Sequence, residues 1–357
     1  MTLWFVVGTA AELIKVYPLI EEAQKRNIAW FVLQTGQSAE NFWMQVSDFE
    51  LPTTRIIRLT SFQENFKTSF HALKWFFYSL AFGFFAIQKK IKVEKDDLFF
   101  VHGDTLSTLI GSIYGKLLKI KVVHIEAGLR SHNLRSPFPE EILRRIVSRM
   151  VHFHMCPDEN AKKNLFNEGI VSGVHLTGGN TVVDALEVIT RAKRSETFSH
   201  VLVNIHRFEN LHSELKWNKI IEIVLSLAQV HKVIFVMMPN TSEHLKNDFK
   251  NLERLKKSGV EFKDRLPFKE FVSLLLNASF VLTDGGTNQE ECYYLGKPCL
   301  ILRNTTERFE GLGESCVLSR FDQKIINDFL ISPEKYLRPY AFPIKRPTDV
   351  IFECLFQ

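Results

Sequence analysis

Ionisable side chains recur just past the ends of short hydrophobic runs in this 357-residue chain. Asp104 follows DLFFV (97 to 101), Glu126 follows KVVHI (121 to 125), His206 follows VLVNI (201 to 205) and Asp284 follows SFVLT (279 to 283). Pro137 and Pro139 introduce a helical stretch carrying Glu140, Glu141, Arg144 and Arg145. Several carboxylates with a histidine suit proton transfer at a buried carbon, because each can hold or release a proton near neutral pH once its surroundings are tuned. Plain structural roles compete for each residue. Asp104 or Thr105 can cap a helix, Glu140 and Arg144 are spaced for a solvated pair worth tenths of a kcal/mol, and His206 can serve its own strand end.

Glycines mark a second kind of chemistry. Gly8 and Thr9 follow LWFVV (3 to 7), while Gly285 and Gly286 precede a helix carrying Gln289, Glu290 and Glu291. A glycine turn before a helix lets backbone N–H groups approach an anion such as a diphosphate. Glu290 or Glu291 can then accept the two hydroxyls of a ribose.

The elements that must position these groups follow from periodicity. Apolar runs at 3–7, 29–33, 97–101, 121–125, 201–205, 232–238, 279–283 and 298–302 alternate with segments long enough for crossover helices, the pattern of parallel sheets built from βαβ units. The fold class expected is α/β, with two Rossmann-like doubly wound domains facing across a cleft. Residues 1–175 form the first, residues 176–340 the second, and residues 341–357 pack back on the first. Ligands of such sheets bind outside the carboxyl ends of the strands, where the residues above fall.

Composition narrows the function classes. Hydrophobic residues make up 45% and charged residues 24%, which is globular and excludes a disordered or fibrous chain. The 45 basic and 40 acidic residues leave +5, too diluted for a nucleic-acid partner. Five dispersed cysteines lack metal-ligand spacing; no metal or cofactor is expected, and a reducing, cytoplasmic setting is. The start, MTLWFVVGTAAELIK, lacks the basic segment and cleavage site of a secretory signal. Trp75 to Ile87 is apolar all round and flanked by Lys74, Lys89, Lys90 and Lys92. It is shorter than the roughly 20 residues that span a bilayer, so it reads either as a helix covered by a dimer partner or as one lying on an anionic membrane surface within residues 71–92.

The motifs HGDT, EAGLRS, SPFPEEILR, GNTVVDAL, HRFEN, TDGGTNQEE, LGKP and LRNTTERFEG stand in this order along almost the whole chain. It resembles the non-hydrolysing UDP-N-acetylglucosamine 2-epimerases. The resemblance implies two domains in the glycosyltransferase-B arrangement, a UDP-sugar substrate, a homodimer and no redox cofactor. It implies interconversion of UDP-N-acetylglucosamine and UDP-N-acetylmannosamine by loss and re-addition of UDP, supplying cell-surface polysaccharide synthesis. Carried over by motif, Asp104, Glu126 and Glu140 take acid, base and charge-stabilising roles, with Arg144 fixing them. Lys15 and His206 face the leaving diphosphate and sugar, Glu291 the ribose and Gly286 the phosphates. Gly8, Thr9, Gly285 and Arg308 complete the implied UDP-sugar contacts.

Three departures fall on the nucleotide side. Where the resembled family has GTRPE, HRRE and TDSGG, this chain has Ala10, Phe208 and Gly285, removing two cations and a hydroxyl. Charge-assisted bonds are worth roughly 1.5–3 kcal/mol each, so weaker nucleotide affinity is expected. A hydrolysing 2-epimerase, a membrane-associated glycosyltransferase on the same scaffold and a non-catalytic sugar-nucleotide binder are the alternatives.

Overall fold

The computed structural model describes residues 1–37, 39–60, 69–133, 139–192, 198–306 and 308–356. The chain divides into two compact units, Met1–Ala185 with Pro343–Gln357, and Leu186–Phe342.

The first unit is built on a seven-stranded parallel sheet of β1 (Thr2–Val7), β2 (Ala29–Gln34), β3 (Ile56–Arg58), β4 (Leu98–His102), β5 (Lys121–Ile125), β6 (Phe153–Cys156) and β7 (Val174–Leu176). Their spatial order is β3-β2-β1-β4-β5-β6-β7. The order reverses between β1 and β4, so the loops after these strands leave in opposite directions and open the sheet's natural ligand position. Trp4, Val6, Leu33, Phe99, Val101 and Val122 are buried in the core on one face of this sheet. Strands covered on both sides need unbroken apolar runs, which LWFVV and DLFFV supply.

The second unit repeats the scheme with β8 (His200–Asn204), β9 (Val233–Met237), β10 (Glu261–Asp264), β11 (Ala278–Thr283), β12 (Cys299–Ile301) and β13 (Cys316–Leu318). They lie in the order β10-β9-β8-β11-β12-β13, with the reversal between β8 and β11. Val201, Val203, Phe235, Phe280 and Leu300 pack against Ile220, Val224 and Phe329 in its core.

The first unit ends ten residues beyond the expected 175/176 boundary. β7 pairs with β6 in the first sheet, and the residues after it are tied to the same unit: Thr181 Oγ1 donates to the Lys15 carbonyl at 2.5 Å. The C-terminal helix Pro347–Leu355 belongs there too. Asp184, from the GNTVVDAL motif, accepts from the Thr348 N–H at 2.8 Å, and Arg26 lies 4.9 Å from the Phe352 ring centroid.

Candidate active site

In the first unit, helix Ala10–Lys25 begins directly after β1 with Thr9 as N-cap, its hydroxyl accepting from the Glu12 N–H. Glu12 closes this turn. Its Oε2 accepts from the N–H groups of Gly8 and Thr9 at 2.9 and 2.8 Å, and its Oε1 accepts from the Thr105 hydroxyl at 2.6 Å. Burial pushes the Glu12 carboxyl up, while these donors pull it back. A side chain at Gly8 would meet Ser107 Oγ at 1.9 Å. Gly8 and Thr9, expected to contact the substrate, therefore turn their amides onto Glu12 and hold the β1 and β4 loops together.

One helical turn further on, Lys15 Nζ lies 2.7 Å from Glu126 Oε2. Glu126 follows β5 with φ +62, a left-handed conformation costing about 1–2 kcal/mol for a residue with a Cβ. Such strain concentrates where function demands a particular side-chain direction. His102, the last residue of β4, brings its Nε2 to 3.2 Å from the same carboxylate oxygen. Burial, with Lys15 beside it, pushes the His102 pKa down to about 3 against the attraction of Glu126. The ring is neutral at physiological pH, so Lys15 is the cation on Glu126. His124 of β5 stands behind, Nε2 2.7 Å from the Gly103 carbonyl, with burial taking its pKa to about 4.

Asp104 does not cap the next helix. Thr105 caps Leu106–Leu118, and Asp104 Oδ2 pairs with Arg144 at 2.5 Å. Arg144 comes from helix Glu140–Ser148, which starts after Pro139; Ser136, Pro137 and Phe138 of the same motif lie outside the described residues. The spacing of Glu140 and Arg144 suggested an ion pair between them. Instead Arg144 reaches Asp104 and stands 3.6 Å from Glu141. Glu141 is the buried structural carboxylate of this helix, accepting from the Ser131 N–H at 2.9 Å and from Arg145 Nε at 3.1 Å. Glu140 Oε2 is buried without a hydrogen bond among the described residues.

In the second unit, Asp284 after β11 organises the site. Fully buried, it accepts from the N–H groups of His206 and Arg207 at 2.9 and 3.0 Å and from Asn210 Nδ2 at 2.9 Å. His206 Nδ1 stands 3.4 Å from Asp284 Oδ1. Burial lowers the His206 pKa, with Asp284 opposing and Arg207 and Arg265 assisting. Gly285 precedes helix Gly286–Tyr294, whose start has no side-chain cap, leaving N–H groups of the first turn for an anion. A Cβ at Gly285 would lie 2.8 Å from both His206 Cε1 and Asn288 Oδ1; the missing serine is thus matched by the position of the histidine ring.

Glu291 accepts from Asn288 Nδ2 at 2.8 Å, and Glu290 pairs with Arg308 at 2.7 Å. Of the departures, Ala10 is buried, and Phe208 is 69% exposed with its ring 3.7 Å from that of His212. Lys297 of the LGKP motif is structural, donating to the carbonyls of Leu276 and Ala278. Among the described residues, no three His, Cys, Asp or Glu side chains are grouped to hold a metal.

The geometry thus groups Lys15 with Glu126 and Asp104 with Arg144 in the first unit, and His206 with Gly285 in the second. Sequence reasoning passed over Glu12, Glu141 and the hub role of Asp284. The signal for Glu12 was the T-x-x-E spacing of a capping box at Thr9.

The sequence pattern of the family described as UDP-N-acetylglucosamine 2-epimerase matches residues 22–329. The UDP-N-acetylglucosamine 2-epimerase of Methanocaldococcus jannaschii is 31% identical over 346 residues, covering 91% of this chain and 90% of that one. The enzyme of the same description from Neisseria meningitidis is 32% identical over 383 residues, covering 99% and 98%. Among solved structures, the M. jannaschii epimerase in complex with UDP-GlcNAc and UDP superposes with a TM-score of 0.79 at 28% identity, over 99% of both chains. The N. meningitidis epimerase bound to UDP-GlcNAc gives 0.74 at 29%, again over 99% of both. On the evidence of motif order, topology and these likenesses, the chain belongs to the UDP-N-acetylglucosamine 2-epimerase family.

Proposed function

We propose that this protein interconverts UDP-N-acetylglucosamine and UDP-N-acetylmannosamine by eliminating UDP and adding it back. The observation that carries the reading is the pairing of Glu126 with Lys15 and of Asp104 with Arg144 at the carboxyl ends of adjacent strands. The sugar's C2–H is not acidic by itself, since no carbonyl is conjugated to C2. As the C1–O bond to the diphosphate lengthens, positive charge develops on C1 and C2–H becomes acidic. A carboxylate takes the proton, the C1=C2 bond forms, and UDP leaves with the electron pair of the C1–O bond. Return of UDP to C1 and of a proton to the opposite face of C2 completes the epimerisation.

Asp104, Glu126 and Glu140 share the proton transfers and the stabilisation of C1 charge, Arg144 orients Asp104, and Lys15 orients Glu126 and balances its charge. These act by position and preorganised charge. His206, Gly286, Glu291 and Arg308 hold UDP, with the phosphates at the start of helix Gly286–Tyr294. The same reading includes a cytoplasmic homodimer that feeds polysaccharide synthesis, with a peripheral membrane contact through residues 71–92.

The test is incubation with UDP-N-acetylglucosamine in deuterated water, followed by NMR. Formation of the manno epimer with deuterium at C2 supports the reading. Recovery of the substrate unlabelled and unepimerised removes it, and release of UDP with free N-acetylmannosamine replaces it with the hydrolysing reaction.

A further inference from the structure

Residues 69–92, SFHALKWFFYSLAFGFFAIQKKIK, are too aromatic for the chemistry above to require. They form helix Ser69–Tyr78, a single wide π turn over Ser79–Gly83, and helix Phe84–Lys90. The π turn is anchored from the core: the Tyr114 hydroxyl donates to the Ser79 carbonyl. Trp75 and Ile87 are fully buried, and Phe76, Leu80 and Phe84 pack against the same core.

The extra residue in that turn sets the outer face. Leu73, Phe77, Phe82 and Phe85 are 53%, 60%, 56% and 67% exposed, at intervals of four, five and three, and the interval of five runs into the π turn. Four large apolar side chains on one face exceed the scattered exposure expected of a free surface. The charges beside them are of one sign: Lys74, Lys89, Lys90 and Lys92 are exposed, and residues 69–92 contain no Asp or Glu. Two copies docking through this face would bring lysines toward lysines, whereas an anionic surface complements them. Among the described residues no helix is long and apolar enough to cross a membrane, so the geometry is that of a helix lying in an interface.

We infer that the face formed by Leu73, Phe77, Phe82 and Phe85, bordered by Lys74, Lys89, Lys90 and Lys92, docks on an anionic lipid surface. The aromatic rings enter the boundary between headgroups and acyl chains, and the ammonium groups stay among the phosphates. The inference extends the proposed peripheral contact, and its failure leaves the sugar chemistry untouched.

Flotation of the full chain with phosphatidylcholine vesicles, with and without one third phosphatidylglycerol, tests it. Wild type is expected to float with the anionic vesicles only. The Phe77→Ser/Phe82→Ser variant is expected to lose about tenfold of the bound fraction while UDP-sugar turnover is unchanged. Should that variant not fold, Lys89→Ser/Lys90→Ser is expected to show the same loss. Wild type that stays unbound to anionic vesicles, or that floats equally with neutral ones, overturns the inference. So does a serine variant that floats normally but sediments as a monomer where wild type sediments as a dimer, which assigns the face to a second copy.

Discussion

Lys15 Nζ stands 2.7 Å from Glu126 Oε2, although the two residues follow β1 and β5, which have β4 between them in the sheet. The reach of the lysine across the β4 loop is what joins the turn after β1 to the carboxylate after β5. Charge pairing fixes where the Glu126 oxygens point, and His102, 3.2 Å from the same oxygen, is neutral and adds no charge to it.

Replacing the carboxylates separates chemistry from folding. Glu126→Gln and Asp104→Asn are each expected to lower turnover by about 10²–10⁴-fold, the range of a positioned acid or base, with thermal midpoints close to wild type. Steady-state kinetics with a melting curve for each variant checks this. Near wild-type turnover in either one removes that residue from the mechanism.

Acid sensitivity of the first unit should come from its buried neutral histidines. His102 and His124 have folded pKa values depressed to about 3 and about 4 from an ordinary 6.5. Below 6.5 the unfolded chain binds protons that the folded chain refuses, so stability is full above 6.5 and falls as pH drops toward 4. The slope is about 1.4 kcal/mol per pH unit for each histidine. Asp184, raised by burial to about 6 from 3.8, acts with the opposite sign below 6. His124→Gln, which keeps a donor for the Gly103 carbonyl, should lose about 1.4 kcal/mol less stability than wild type between pH 7.5 and 5.5. Urea titrations at the two pH values measure it, and identical losses would contradict the assignment.

His206 and Asp284 should behave differently from each other. His206→Ala is expected to slow turnover about tenfold, less than loss of a carboxylate, because its ring is one of several groups on the UDP side. Asp284→Ala leaves the N–H groups of His206 and Arg207 and the Asn210 amide without their acceptor. At about 1–3 kcal/mol per orphaned buried donor, it should destabilise the second unit by several kcal/mol. Denaturant unfolding distinguishes the two, and a fully stable Asp284→Ala protein would refute the hub role.

Phe208 tests the weakened nucleotide side. An arginine there restores a cation beside His206 and Arg207, and one charge-assisted bond to a phosphate is worth about 1.5–3 kcal/mol. Phe208→Arg is expected to tighten UDP binding about tenfold or more by calorimetry. Unchanged affinity would mean that the phosphates do not reach this position.

Both sheets were legible because each long apolar run lies in a strand that is covered on both sides, as in Phe99 to Val101 and Val201 to Val203. The strands that escaped notice, β3, β6, β7, β10 and β13, are three or four residues long. Glu261–Asp264 is half-exposed and mostly polar, so it carries no continuous apolar signal. Motif order marked the site residues but not their partners. Arg144 is as close in helical spacing to Glu140 as to any residue, yet it pairs with Asp104, because the chain's return after β5 brings that helix over the β4 loop. Asp284 was illegible as a support for the opposite reason. Buried carboxylates that accept from backbone N–H groups look in a sequence like catalytic acids.

Cleavage of the C1–O bond is the step on which everything else depends, and positional isotope exchange reads it directly. UDP-N-acetylglucosamine carrying ¹⁸O in the bridge between C1 and the β-phosphorus should return from the enzyme with the label spread into the non-bridging β-phosphate oxygens, because free UDP rotates before re-addition. Epimerisation with the label still wholly in the bridge would contradict the account, since the sugar would then never have parted from its nucleotide.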